Sequence, residues 1–560
     1  MSEDKILRSK HEPIISKFNV TGSYLWDKLS KLDDKFVCLI DAVTDESLTI
    51  GELKKRANSL GVALVNRGVT KRDLIAISGQ NSIQHAVIRF AIKLLGVTFM
   101  PLSPTFQAYE VDREVRDANC TIVMTSAEDL PKFDTLVVNS NDDKQQQQGL
   151  SIKLVVVFDG NYNTDNNTDT DMFVTYDQLL ADGRDDRLTK IPYFDVQPDT
   201  DQLFLVHTSG STGRPKCAEI PHRMFIQAAE EREKFVTLED TPTTINLLPY
   251  PLGHISGTAW LPIQLSKGHR LILMGRFDER VLFRSVEKYG INVLPTFPSF
   301  GRRLIESDCV DRYDLSSLRV VSSGGAAFPG NIAKEIIAKY GVKFKEGYGM
   351  TEFLWVTNGS DINDDFQSGN LGTPAPGCEL KFVDLTSGQA LGPDTDGELL
   401  VRSLTGRCFS GYLNNDRAYQ EAIDADGWYR TGDIGHYDNR DRVFIVGRIK
   451  EVLRIGVDNH YVNISPVEIE QFLLTHPAVS EVAVIGVNNS VGTHWPRAYV
   501  VIKNGHLVTA DDIQKFVSDT MAYTKQLKAG VVFVDSIHRT SIGKVDRNYY
   551  RNLIKNEIID

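Results

Sequence analysis

Short apolar runs alternate with helical patterns along the first third of this chain, and no other feature narrows the fold as far. Leu74-Ile75-Ala76-Ile77-Ser78 reads as a strand, and His85 to Leu95 carries apolar residues at helical spacing before stopping at Gly96. Thr121 to Met124 and Leu154 to Phe158 read as further strands. Strands alternating with helices predict a mostly parallel sheet covered on both faces. The rhythm continues through Leu203 to Val206, Arg270 to Leu273 and Leu318 to Ser322. At 560 residues the chain is too long for one core, so two or more domains are expected.

The run Leu203 to Val206 leads into Thr208-Ser209-Gly210-Ser211-Thr212-Gly213-Arg214-Pro215-Lys216. Glycines let backbone N–H groups turn inward around an anion, hydroxyls donate to its oxygens, and a lysine adds positive charge. That is a phosphate cradle at the C-terminal end of a strand, where open α/β sheets place their ligands. It is not the common P-loop: Pro215 stands where glycine would be required, and Cys217 where the hydroxyl would be. On its own such a cluster also describes a plain turn. Four other segments carry matching chemistry. They are Gly347-Tyr348-Gly349-Met350-Thr351-Glu352, Tyr429-Arg430-Thr431-Gly432-Asp433, Gly447-Arg448-Ile449-Lys450 after an apolar strand Val443 to Val446, and Arg539-Thr540-Ser541-Ile542-Gly543-Lys544.

A formal net charge of −12 argues against general nucleic-acid binding, which needs a basic face. The cysteines (Cys38, Cys120, Cys217, Cys309, Cys378, Cys408) are scattered without CxxC pairs, so neither a disulfide framework nor a zinc site is expected. The charged segment Met1 to Lys17 holds no secretory signal, no transmembrane run is visible, and the last residues Glu557-Ile558-Ile559-Asp560 are not a Ser-Lys-Leu address. These features predict a cytoplasmic protein. Asn139 to Asp171 is rich in Gln, Asn, Thr and Asp around the strand at Leu154, and reads as two solvated loops. Beyond Gly447, helices at Glu468 to Leu474 and Asp511 to Ala522 and strands at Val482 to Ile485, Ala498 to Ile502 and Val531 to Val534 suggest a small α+β domain.

In this order and spacing the motifs resemble the adenylate-forming superfamily: acyl-CoA synthetases, 4-coumarate–CoA ligases, firefly-type luciferases and adenylation domains of peptide synthetases. The resemblance runs from about Trp26 to the C-terminus, and Lys528 to Val534 looks most like the luciferase and coumarate-ligase branch. It implies an α/β fold, with a large N-terminal adenylation domain (1–447) of mostly parallel sheets flanked by helices and a small mobile α+β domain (448–560). It implies ATP, Mg²⁺ and CoA as cofactors and a small carboxylic acid, fatty or aromatic, as substrate. A luciferase-like monooxygenase acting through a luciferyl-adenylate, and a stand-alone module loading a carrier protein, remain the alternatives.

The resemblance also assigns roles. Thr208, Ser209, Gly210, Ser211, Thr212, Gly213 and Lys216 would hold the β- and γ-phosphates, Glu352 the magnesium, and Thr351 the α-phosphate. Gly324, Gly325 and Ala326 form the adenine turn, Gly347, Tyr348 and Gly349 present a stacking face, Asp433 takes the ribose hydroxyls, and Arg448 reaches ribose or phosphate. His254, in Pro251-Leu252-Gly253-His254-Ile255-Ser256-Gly257, would meet the acyl carboxylate, although Gly253 replaces the usual aromatic residue. Lys544 would bridge carboxylate and α-phosphate, and Lys450 would be the hinge that withdraws it. Arg454 to Ser465 is longer than the family's usual turn, so CoA contacts at Arg454 and Gly456 carry over less directly. Bulky Phe297, Phe300, Phe328 and Trp355 point to an aromatic or medium-length acid.

Overall fold

The structure, a computed structural model, describes residues 5–137, 151–160, 172–184, 194–208, 216–234, 243–360, 366–457, 460–489, 493–540, 543–555 and 557–559. The polar tracts 139–150 and 161–171 lie outside these residues.

Two largely parallel sheets form the large N-terminal part. The first runs, in spatial order, through Gly411–Tyr412, Cys217–Pro221, Gln202–His207, Thr98–Pro101, Leu74–Ser78, Ile122–Ser126, Leu154–Phe158 and Phe173–Thr175. Its first two pairings are antiparallel and the rest parallel. The second orders Lys343–Gly347, Val320–Gly324, Val293–Thr296, Ile245–Leu248, Arg270–Leu273, Val37–Asp41 and Ser47–Thr49, parallel except at the last pair. Strands Ile122–Ser126 and Leu154–Phe158 bury every residue, as parallel strands covered on both faces must. Helix Ile83–Leu95 packs against Thr98–Pro101 of one sheet and Val37–Asp41 of the other, which is why every residue but Gln84 is buried. Ser82 Oγ accepts the His85 N–H at its start, and Gly96 at φ 78° ends it in the left-handed conformation glycine adopts freely. The helix begins at Ile83, slightly before the apolar spacing at His85 suggests.

A third sheet was not anticipated. Leu7–Arg8, Cys378–Val383, Gly397–Ser403, Tyr429–Tyr437 and Val443–Arg448 pair antiparallel throughout. Gly447 and Arg448 thus end a strand of the large part. The chain crosses 449–452 and enters the small C-terminal part at the hairpin Leu453–Val457/His460–Ile464. The residues that lengthen this segment build that hairpin.

The small part packs helices Pro466–Leu473, Ala510–Ser518 and Arg547–Leu553 on a sheet ordered Val531–Phe533, His494–Ile502, Val479–Asn489, Ile558–Ile559. Its own core holds Ile455, Ile469, Leu473, Val484, Val500 and Ile513. The helix expected to reach Ala522 stops at Ser518, and the strand expected at Val482 to Ile485 runs from Val479 to Asn489.

Candidate active site

A cavity of about 670 Å³ opens between the large part and the small part. Thr208, His254, Gly325, Ala326, Gly347, Tyr348, Gly349, Asp433, Arg448 and Lys544 all line it. Residues far apart in sequence are brought there by strand ends and turns.

Strand Gln202–His207 delivers the phosphate loop and strand Cys217–Pro221 takes the chain back, with His207 opposite Cys217. The Thr208 N–H donates to the Lys216 carbonyl at 2.7 Å, closing the loop at its base. Ser209, Gly210, Ser211, Thr212 and Gly213 lie outside the described residues. A strand, not a helix, follows Lys216, unlike the arrangement of the P-loop. Lys216 Nζ lies 4.6 Å from the centroid of the Tyr412 ring. The Tyr412 hydroxyl donates to Glu352 Oε1 at 2.7 Å and lies 2.9 Å from the Tyr429 hydroxyl. Burial and the Glu352 charge push both phenols well above the usual tyrosine value, so they keep their protons. Thr351 and Glu352 are buried beside the cavity rather than in its wall. Among the described residues no cluster of three His, Cys, Asp or Glu side chains could cage a metal. The lone Glu352 fits a magnesium that takes its other ligands from phosphate and water.

On the opposite side, strand Val320–Gly324 is followed by Gly325 at φ 79°. A Cβ added at Gly325 would meet nothing within 4 Å, so left-handed backbone rather than crowding demands glycine there. Tyr348, half-buried, donates its hydroxyl to Asp433 Oδ2 at 2.5 Å. Arg448 Nε sits 2.8 Å from Asp433 Oδ1. Asp433 reaches the cavity through a bulge: Leu400 pairs with Arg430 and Glu398 with Ile434, so Leu399 faces three residues, Thr431 to Asp433. Bulges re-aim side chains in this way, and this one lies within strand Tyr429–Tyr437. Burial pushes the Asp433 carboxyl up, while Arg448, Tyr348 and Lys544 hold it down.

Lys544 projects from a turn closed by Thr540 N–H to Lys544 O at 2.8 Å and braced by Arg539 Nη1 on Gly543 O at 2.9 Å. Ser541 and Ile542 lie outside the described residues. Burial and the neighbouring Arg448 lower the Lys544 ammonium to about 8, with Asp433, Glu451 and Glu352 opposing. His254 caps helix Ile255–Ser266, its Nδ1 accepting the Ser256 N–H at 3.2 Å. An accepting Nδ1 places the neutral ring's proton on Nε2. Burial and Lys544 lower this histidine to about 4, so it is an uncharged donor at neutral pH. The substitution at Gly253 has a steric cause: a Cβ there would lie 2.3 Å from the Leu102 carbonyl oxygen.

Other expected residues stand apart. Lys450 lies in the crossing segment, where Arg551 Nη2 donates to its carbonyl at 3.3 Å. Arg454, exposed, and Gly456 sit on the hairpin, not in the cavity wall. Of the bulky side chains expected around an acyl group, Phe328 lines the cavity with Pro298 and Arg302, whereas Phe300 packs into the core under the second sheet. Sequence reasoning missed Tyr412, Tyr429 and Glu346. Glu346 lines the cavity, and burial pushes its carboxyl up to about 7 against hydrogen bonds from the Gly369 and Phe328 backbone. Its place directly before Gly347 was the available signal.

The family model "AMP-binding enzyme" matches residues 29–413, and the model of the AMP-binding enzyme C-terminal domain matches residues 468–544. The chain belongs to the AMP-binding, adenylate-forming enzyme family. It is 29% identical to 4-coumarate-CoA ligase 1 of Narcissus pseudonarcissus over 538 residues, covering 94% of this chain and 92% of that protein. It is 28% identical to luciferin 4-monooxygenase of Photinus pyralis over 522 residues, covering 92% of this chain and 91% of that one. In fold it matches ATP-bound MatB of Rhodopseudomonas palustris with a TM-score of 0.82 at 24% identity, over 96% of this chain and 99% of that one. It is thus a 4-coumarate–CoA ligase-like adenylating enzyme. Among the described residues no helix is long and apolar enough to cross a membrane.

Proposed function

We propose that this chain is an ATP- and Mg²⁺-dependent acid–thiol ligase of the cytoplasm. A carboxylate oxygen of the acid attacks the α-phosphorus of ATP, the bond to the β-phosphate oxygen breaks, and pyrophosphate leaves. The CoA sulfur then attacks the acyl carbon of the mixed anhydride, AMP leaves, and the thiol proton passes to solvent.

Thr208, the loop Ser209 to Gly213 and Lys216 hold the outer phosphates. Glu352 holds Mg²⁺, which when bound neutralises charge on the phosphate oxygens. Gly324, Gly325, Ala326, Gly347 and Gly349 let the backbone approach adenine, Tyr348 stacks on it, and Asp433 accepts from the ribose. Thr351 and Arg448 serve the α-phosphate and ribose. His254 donates from Nε2 to the acid, and Lys544 stabilises charge that grows in the transition state. The domains divide after Arg448, one residue beyond the boundary expected from the sequence, because Arg448 still pairs with Asp433 in the third sheet. Rotation about Lys450 withdraws Lys544 and brings Arg454 and Gly456 to CoA.

The observation that carries this reading is convergence: Lys544 from the small part meets His254, Asp433 and Tyr348 of the large part in one cavity. Asp433 and Glu352 contribute opposing charge to the Lys544 ammonium there. Acid-dependent exchange of pyrophosphate into ATP tests it. Lys216→Ala and Glu352→Gln should each slow exchange on the order of 10²–10³-fold, and normal exchange in Glu352→Gln at limiting Mg²⁺ removes the metal assignment. The likeness to luciferin 4-monooxygenase supplies the second reading, which light emission from luciferin, ATP and O₂ would favour.

A further inference from the structure

The roles proposed for Lys216 and Glu352 leave a physical problem. A lysine and a glutamate this close to one site would be expected to pair with each other. Each would then be neutralised by its neighbour before a triphosphate or a cation arrived. Among the described residues the two form no ion pair. One side chain stands between them: Tyr412 offers its ring face to Lys216 Nζ at 4.6 Å and its hydroxyl to Glu352 Oε1 at 2.7 Å.

Further observations show that this ring is held in place. Strand Gly411–Tyr412 is paired with the strand that leaves Lys216, Ala218 lying opposite Tyr412 and Glu219 opposite Gly411. The Leu413 N–H donates to the Cys217 carbonyl at 2.8 Å, and the Phe409 N–H donates to the Glu352 carbonyl at 3.0 Å. One short segment therefore binds the backbone beside both functional residues. Behind the ring, the Tyr429 hydroxyl lies 2.9 Å from that of Tyr412, and Phe409 meets it edge-on at 4.8 Å between centroids.

We propose that Tyr412 is a positioning residue that keeps the triphosphate lysine and the metal carboxylate adjacent but unpaired. Its quadrupole gives the ammonium of Lys216 a weak resting place that a phosphate oxygen easily outcompetes. Its hydroxyl occupies one oxygen of Glu352 and orients the other, as hydrogen-bonded partners of metal-binding carboxylates do. Tyr429 supplies the second hydroxyl that fixes the direction of the first. The inference rests on the roles given above to Lys216 and Glu352.

The test is equilibrium binding, by calorimetry, of an ATP analogue with a non-cleavable α,β link, titrated at a series of Mg²⁺ concentrations. Tyr412→Phe keeps the ring and removes the hydroxyl. It should raise the Mg²⁺ concentration needed for half-maximal binding about 10-fold and leave binding at saturating Mg²⁺ unchanged. Tyr412→Leu removes the face as well and should also weaken binding at saturating Mg²⁺ about 10-fold. A packing defect alone would not move the Mg²⁺ requirement separately from affinity. If the leucine protein does not fold, the phenylalanine protein decides. An unchanged Mg²⁺ requirement in Tyr412→Phe overturns the proposal. Lys216→Ala and Glu352→Gln run in the same assay separate the two levels. If they respond and the Tyr412 variants do not, only the positioning role falls. If they too are silent, the underlying assignment falls and takes this one with it.

Discussion

Asp433 and Arg448 are cross-strand partners, and Arg448 Nε lies 2.8 Å from Asp433 Oδ1 while the Tyr348 hydroxyl takes Oδ2. The carboxylate expected to receive ribose is thus anchored on both oxygens by the protein itself. Each oxygen keeps a further lone pair, so anchoring and ribose binding are compatible. Asp433→Asn should weaken ATP binding about 10-fold or more, since charge-assisted acceptance is lost. Arg448→Ala leaves a buried acceptor half-satisfied and should cost about 1–3 kcal/mol in chemical denaturation.

Lys544 should set the alkaline limit of the proposed first half-reaction. Burial and Arg448 hold its ammonium at about 8, and only the protonated form can stabilise the growing phosphoryl charge. For the free enzyme, kcat/KM for acid-dependent pyrophosphate exchange should fall as pH rises through about 8. Lys544→Arg should remove that limb, at lower absolute rate. A profile that stays flat to pH 10 in the wild type contradicts the assignment.

The two half-reactions should respond to different residues. Lys544→Ala should lose pyrophosphate exchange yet convert supplied acyl-adenylate and CoA to thioester. Lys450→Pro should do the reverse, because fixing φ at the pivot restricts rotation but leaves the first geometry accessible. Equal impairment of both steps in Lys544→Ala would end the two-conformation scheme.

Lys93 is a buried lysine with a structural cost. It is buried in the helix between the two sheets, over the Phe99 ring at 4.7 Å and near Arg89. Burial, then Arg89, lowers it well below the ordinary 10.5. The unfolded chain binds that proton more readily, so stability is lost as pH falls below 10.5. Lys93→Met should therefore raise the melting temperature at neutral pH, and the advantage should shrink as pH approaches 10. A variant less stable than wild type at pH 7 would contradict this.

Much of this was legible in the sequence for identifiable reasons. Parallel strands such as Leu154–Phe158 are continuous apolar runs because both faces are covered, and they mark themselves. Lys544, Tyr348 and His254 sit in short segments where glycine and a functional side chain occur together, a pattern visible in the sequence. Tyr412 was not legible, because its role depends on Ala218 pairing opposite it across the sheet. The antiparallel third sheet was missed since its strands carry mixed polar residues, and the bulge that aims Asp433 was not legible because a glycine such as Gly432, at φ 70°, suits turns and bulges alike. Strand Val443–Arg448 was foreseen, but its neighbours in the sheet were not.

The proposed chemistry meets its most direct test in the products. The protein is incubated with ATP, Mg²⁺ and a panel of carboxylic acids, first without CoA and then with it, and products are identified by mass spectrometry. Acid-dependent pyrophosphate and acyl-AMP should form without CoA, and AMP with the matching acyl-CoA should form once it is added. ADP and phosphate in place of AMP and pyrophosphate, or an acyl-adenylate that CoA does not consume, would contradict an acid–thiol ligase.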